Sequence, residues 1–536
     1  MANPNLMFYT DARHPLVYMY EPPMYKEEFE STVDELVGTP IEALMFCLGD
    51  GRTMQHDTKV GEIWGRNVEM WKHHIFKRAY DNVESLMDAG FDPLSIACNR
   101  AREKNILFYP TLLLQLESGV RDGPGYDVRS SDFRLNNKHF DIGARGDLKS
   151  DFPGNNCADF KHLEVRNERL DIVNEVSSNY QIDGFELQFN FWPYYFHPVE
   201  VDVNTDLMTD FVRNVHKILK KASIQRELVI TIPANLKDCL SIGLDVLEWV
   251  REGIVDVIVA QPIKRPDVID PNASYIVYDP SYLNDIKELS ESVKYTNTRV
   301  HATLAGTLDS DRNGHAPIDM IRAAACSIWD QGVDGLYIDW FASWPYDSSF
   351  YKKVREIVHP DIMASKDKFY HVPTGTRSDT EGKLTCQLPI NLVSKVPVKV
   401  NIYISDDLVY WDSVNRLHDV ILRIRITGAT ENDSFIFKLN GTTLPKTSMR
   451  IINQMYGMDS PRYRIFGQWY VFHLDKTYFP VKGVNSVGVI LENRDAESEV
   501  QLTLRDIEID TKYLFGASFG KGFIDPDLGP YTYEIT

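Results

Sequence analysis

Two acidic residues sit inside apolar runs, where a carboxylate is costly to keep. Glu186 lies in DGFELQF (Asp183–Phe189) and Asp339 in DGLYIDWF (Asp334–Phe341). Side chains alternate across a strand. Glu186, Gln188 and Asn190 therefore share one side, and Phe185, Leu187 and Phe189 the other. Tyr337, Asp339 and Phe341 likewise oppose Leu336, Ile338 and Trp340. If the apolar sets pack on helices, Glu186 and Asp339 point into the middle of the fold. An ionised carboxylate there is destabilising unless paired or solvated. Two of them on separate strands suit an acid/base or an acid/nucleophile pair. The alternative is that each is a polar anchor bound to an arginine.

Other polar groups fall at or near strand ends: Asp11, Arg13 and His14; Asp50 and Arg52; Gln115 and Glu117; Asn235; Gln261; and His301. Together they suit a ligand rich in hydroxyls. Arg13, Arg52, Arg129, Arg134, Gln188, Asn190 and His301 are expected to bind hydroxyls or an acidic substituent, with Asp11, Asp50 and Glu117 as reserve carboxylates. Aromatic residues crowd the same places, with Trp192 in FWPYYFHP after the fourth run and Trp344 in WPY after the eighth. Large rings supply rigid apolar area for the C–H faces of a sugar. No HExxH motif and no clustered His/Cys spacing marks a metal site, no glycine-rich loop marks a nucleotide site, and nothing calls for a cofactor.

Eight short apolar runs must position these groups. They are Leu6–Asp11, Ala43–Asp50, Ile106–Leu114, Asp183–Phe189, Leu228–Pro233, Val255–Pro262, Arg299–Ala305 and Asp334–Phe341. Nearly continuous hydrophobicity alternating with helical segments predicts a parallel sheet. Eight such units predict an α/β fold, a (β/α)8 TIM barrel over residues 1–362. The connection after the third run, from Gln115 to about Lys161, is long enough to be a binding loop at the C-terminal face. Runs four and eight echo each other, IDGFELQF against VDGLYIDW. Their Asp183-Gly184 and Asp334-Gly335 pairs read as tight turns at the stability face. After Pro360 the texture becomes polar and turn-rich, then alternates. Residues 363–536 are predicted to form a C-terminal antiparallel β-sandwich, with Asn440-Gly441 as a hairpin turn.

The formal net charge is −20. That argues against nucleic acid and anionic membrane as partners, because affinity for phosphate rests on Lys and Arg. Six well-separated cysteines without a CxxC pair, and a first segment with no basic and apolar leader pattern, lead to the expectation of a reducing, cytoplasmic setting. The oligomeric state is not legible.

With VDGLYIDWF in its eighth run and a sandwich behind the barrel, the chain resembles the glycosidase superfamily of barrels, in particular the "family 10-like" glycosyl-hydrolase-like group. That resemblance implies a carbohydrate substrate and O-glycosyl hydrolysis. The chain departs from chitinase-like barrels, which read DGxDxDxE on strand four, because Asn190 stands at the position of their acid. It also departs from the large retaining clan, because RVHATLAG carries no carboxylate on strand seven. The choice of Glu186 and Asp339 therefore rests on pleat and position. A lyase or isomerase using Tyr337 or His301 as base, and a sugar-binding protein without turnover, are the rival expectations.

Overall fold

The computed structural model describes residues 3–50, 53–115, 128–262, 280–306, 308, 316–374, 386–453, 467–514, 524–525 and 529–530. All eight predicted runs form strands: β1 (Leu6–Thr10), β2 (Ala43–Cys47), β3 (Leu107–Leu113), β4 (Gly184–Gln188), β5 (Glu227–Pro233), β6 (Val257–Gln261), β7 (Arg299–Thr303) and β8 (Gly335–Ile338). They pair in parallel in chain order, and β8 closes on β1 through Leu6↔Leu336. Such strands are apolar on both faces because one face meets helices and the other the barrel interior. That interior is a packed cluster of Met7, Ala43, Met45, Tyr109, Val229, Val257, Val259 and Tyr337.

At the N-terminal end a carboxylate before each even strand grips the odd strand preceding it. Glu42 accepts the amide of Asn5 at 2.5 Å, and Asp183 that of Phe108 at 2.9 Å. Asp256 accepts the amide of Leu228 at 2.7 Å, and Asp334 that of Val300 at 2.8 Å. The glycines of the two Asp-Gly pairs have a separate reason. A Cβ on Gly184 would stand 2.4 Å from Tyr109 Cε1, and one on Gly335 would stand 2.5 Å from His301 Cε1. Each glycine makes room for an inward ring of the preceding strand, so these pairs build the floor of the barrel. The same floor holds a buried network, in which Glu227 accepts the Tyr109 hydroxyl at 2.8 Å and pairs with Arg299 at 2.6 Å.

The long third connection carries structure of its own, including the helix Asp132–Asn136. Thr53 donates to the Val128 carbonyl at 3.0 Å, and Glu62 accepts the amides of Asp132 and Phe133 at 2.6 and 3.0 Å. Gln115 donates to the carbonyls of Ala158 and Tyr194 at 2.5 and 2.8 Å, which clamps this connection to the one after β4.

The described residues fall into two compact units. One is drawn from Met1–Pro271, Ser281–Gly306 and Gln331–Val358, and the other from Asn272–Pro280, Thr307–Asp330 and His359–Thr536. The second contains the antiparallel sandwich: one sheet includes β9 (Lys368–His371), β10 (Leu417–Thr427), β11 (Gln468–His473) and β12 (Thr503–Tyr513), and the other includes Pro397–Ile404, Ser434–Leu439 and Gly483–Asn493. Val420, Leu422, Ile424, Phe437, Val487, Val489 and Ile509 fill the space between the sheets. Helix Ile318–Trp329 groups with this unit and adds Ala323 to its core. Asn440 and Gly441 turn the hairpin from Ser434–Leu439 to Thr442–Thr443, both at positive φ as a type I′ turn requires. Among the described residues no helix is long and apolar enough to cross a membrane.

Candidate active site

β4 delivers Glu186 into the barrel with no exposed surface. Three hydroxyls meet its carboxylate. Thr111 of β3 donates to Oε2 and Thr231 of β5 to Oε1, both at 2.5 Å. From β8, the Tyr337 hydroxyl lies 3.1 and 3.4 Å from the same two oxygens. Register explains the first two, because Thr111 pairs with Glu186 directly and Thr231 lies one inward position along β5. Neither threonine is among the expected site residues. The signal for both was present: each is a threonine at an inward position of an apolar run, ILFYPTLLL and LVITIP.

Tyr337 links the buried carboxylate to the strand ends. Burial pushes its phenol well above the ordinary tyrosine range, with the charges of Glu186 and then Asp339 adding to it, and Tyr9 contributing between them. Asp339 follows Ile338 at the end of β8 and is half-buried. The Tyr9 ring stacks on that of Tyr337, with centroids 6.3 Å apart, and Phe341 meets Tyr9 edge-on at 5.7 Å. Burial also pushes Tyr9 well up, with Cys47 and Asp11 adding. The turn after β1 completes the group. Asp11 accepts the amides of Arg13 and His14, both at 3.1 Å, and pairs with the Arg13 guanidinium at 3.3 Å. His14 packs against Phe341 at 5.5 Å and Tyr18 at 4.9 Å. Burial lowers its pKa against the pull of Asp11.

A second polar set closes over β4 to β6. Gln188 accepts the Asn190 amide at 2.9 Å, and the Asn190 side chain donates to Gln261 at 3.3 Å and to the Pro262 carbonyl at 2.8 Å. The structure thus gathers Glu186, Tyr337, Asp339, Asp11, Arg13 and His14 in one region, and Gln188, Asn190 and Gln261 in another. It places other expected residues elsewhere. His301 packs on Gly335 in the floor, with neither ring nitrogen in a hydrogen bond of normal geometry. Burial, with Arg299 adding, pushes its pKa down to about 3. Arg134 turns into the third connection, bound to the Asn156 carbonyl at 2.6 Å and to Asp141 at 3.4 Å. Trp344 donates to Glu35 at 3.2 Å. Trp192 and Arg129 are half-buried in their loops. Asp50 belongs to the short strand Gly49–Asp50, while Arg52 and Glu117 lie outside the described residues. Among the described residues no group of three His, Cys, Asp or Glu side chains could hold a metal ion.

No family model matches the chain, and no curated protein does. Solved structures of similar architecture include the cycloisomaltooligosaccharide glucanotransferase of Paenibacillus sp., at 10% identity and a TM-score of 0.34 over 94% of this chain and 57% of that one. The alpha-L-fucosidase isoenzyme 2 of Paenibacillus thiaminolyticus matches at 9% identity and a TM-score of 0.43, over 68% of this chain and 50% of that one. The PgaB glycoside hydrolase domain of Bordetella bronchiseptica matches at 10% identity and a TM-score of 0.39, over 66% of this chain and 98% of that one. The chain therefore spans little more than half the length of the glucanotransferase and half that of the fucosidase.

Proposed function

We propose that the protein is a glycoside hydrolase acting on an oligosaccharide or a glycoside, with Glu186 as acid (or acid/base) and Asp339 as nucleophile or as base for water. The observation that carries this reading is Tyr337. Its hydroxyl is bonded to the buried Glu186, and it stands two residues before Asp339, which follows the end of β8. One carboxylate kept from water and another reached by it are environments that split two acids into two roles. Around them, Tyr9, Phe341 and His14 offer ring faces and edges for sugar C–H groups, and Asp11 and Arg13 offer partners for hydroxyls. The upward push on the Tyr337 phenol tells against elimination by a tyrosinate base at neutral pH.

The test is turnover by Glu186→Gln and Asp339→Asn across a panel of glycosides and oligosaccharides, with thermal melting on the same samples. Acid–base catalysis is worth about 10²–10⁴-fold, so kcat falls by that order while the melting temperature holds. Unchanged turnover by Glu186→Gln on a substrate the wild type cleaves refutes the assignment. Ligand binding by the wild type without cleavage of any panel member leaves a sugar-binding protein instead.

A further inference from the structure

The rings at the C-terminal end of the barrel form a row. Tyr9 meets Phe341 at 5.7 Å, Phe341 meets His14 at 5.5 Å and His14 meets Tyr18 at 4.9 Å. Their planes cross at 70°, 77° and 54°, so none lies flat on its neighbour and the row does not use up its own ring faces. Tyr9, Phe341 and His14 are half-buried, and the row opens to solvent at Tyr18, which is 55% exposed. Helix Pro15–Met19 buries Pro15, Leu16 and Val17 and turns Tyr18 outward. A single exposed ring is ordinary on a protein surface, but one continuous with three others is a patch.

The row begins beside Asp339. Phe341 is two residues beyond it, and Tyr9 stacks on Tyr337, whose phenol feels the Asp339 charge. The cations nearby are held by carboxylates. Arg13 is matched by Asp11 at 3.3 Å, and Arg78, which donates to the Val17 carbonyl at 3.1 Å, is matched by Glu21 at 2.8 Å. A carboxylated or sulfated sugar would find both already paired. A neutral sugar would find hydroxyl partners in Asp11, Arg13 and the His14 imidazole, and ring faces for its C–H groups. The row runs three ring-to-ring steps, further than one sugar at Asp339 can cover, so a single unit would leave Tyr18 bare.

We propose that Tyr9, Phe341, His14 and Tyr18 form a binding subsite for the sugar units next to the one at Asp339, so that the substrate is an uncharged oligosaccharide; this rests on the hydrolase reading above. Tyr18 is then the specificity residue at the outer end, and what it recognises is chain length.

The experiment compares wild type, Tyr18→Ala and Tyr18→Phe on malto-, cello- and chito-oligosaccharides of one to four units, with galacturonate oligomers of the same lengths as the charged control. Calorimetry gives Kd and product analysis gives kcat/KM. Because Tyr18 is exposed, the melting temperature of both variants should match wild type. In at least one neutral series wild-type affinity and kcat/KM should rise with chain length, and the galacturonates should bind more weakly. Tyr18→Ala should lose about 3–10-fold on the longer members, with a smaller loss on the shortest, and Tyr18→Phe, which keeps the ring, should recover most of it. Cleavage that is indifferent to chain length, or a Tyr18→Ala loss that is equal at every length, overturns the subsite and leaves the hydrolase reading standing. Tighter binding of the galacturonates overturns the uncharged substrate. Length-dependent binding that Tyr18→Ala weakens, without cleavage of any member, keeps the subsite and removes the hydrolase reading. A wild type that neither binds nor cleaves any of these oligomers overturns both.

Discussion

The two ends of the barrel hold carboxylates in different ways. In the floor Glu42, Asp183, Asp256 and Asp334 each accept a backbone amide of the preceding strand, and Glu227 is tied to Arg299 and Tyr109. Toward the other end Glu186 is met by side-chain hydroxyls, and Asp339 is half-open to water. A backbone amide fixes a carboxylate as a strut. Hydroxyls can turn and exchange protons, so they hold a carboxylate without committing it. The same residue type therefore reads as scaffold at one end and as chemistry at the other.

The sharpest probe makes one substitution at both ends. Glu186→Gln should cost about 10²–10⁴-fold in kcat and little stability. Glu227→Gln should leave the half-buried Arg299 beside an uncharged partner, lowering stability by about 2–3 kcal/mol with normal turnover per folded molecule. Urea titration and active-site-normalised rates on the two variants decide it, and exchanged phenotypes would break the comparison. Next in size is Gly335→Ala, whose Cβ would stand 2.5 Å from His301 and 2.9 Å from the Asn5 carbonyl. Overpacking of this kind costs about 1–3 kcal/mol, and His301→Ala in the same chain should restore part of it. Asp183→Ala strips one amide of its acceptor and should cost about 1–2 kcal/mol, with faster hydrogen exchange at Phe108. The smallest effect is a pH dependence. His301 has a pKa of about 3 in the fold and about 6.5 when unfolded. The unfolded chain binds the proton first, so stability drops as pH falls below about 6.5 and is flat above. His301→Leu should remove about 1 kcal/mol of that drop at pH 5.5. A variant with the same slope as wild type would place the titrating group elsewhere.

Strand existence was legible because each run is apolar on both faces, a demand that few alternatives satisfy. Pleat parity puts Glu186 and Tyr337 on the interior side of their strands, and the two are hydrogen-bonded there. Two other things were not legible. The strand Lys368–His371 lies just before a polar stretch and is too short for alternation to mark, although it pairs with Thr503–Tyr513. Nor does spacing reveal that Thr111 and Thr231, 120 residues apart in sequence, converge on one carboxylate. That follows from register, which the barrel sets and the local sequence does not. Arg134 shows the same limit from the other side: a guanidinium in a polar loop reads as ligand-facing until the loop's own Asn156 carbonyl is seen to take it.

The floor carboxylates also order events in time. Each joins an odd strand to the next even one, across sequence separations of 37, 75, 28 and 34 residues. A chain emerging from its N-terminus can fasten β1 to β2 once Cys47 has been made, before any of β3. The remaining pairs follow in turn, and the join between β8 and β1 comes last because Leu336 is synthesised 330 residues after its partner Leu6. Assembly in this order keeps each newly made strand beside a neighbour already in place, and leaves two open edges to guard, that of β1 and that of the newest strand, until the ring is complete.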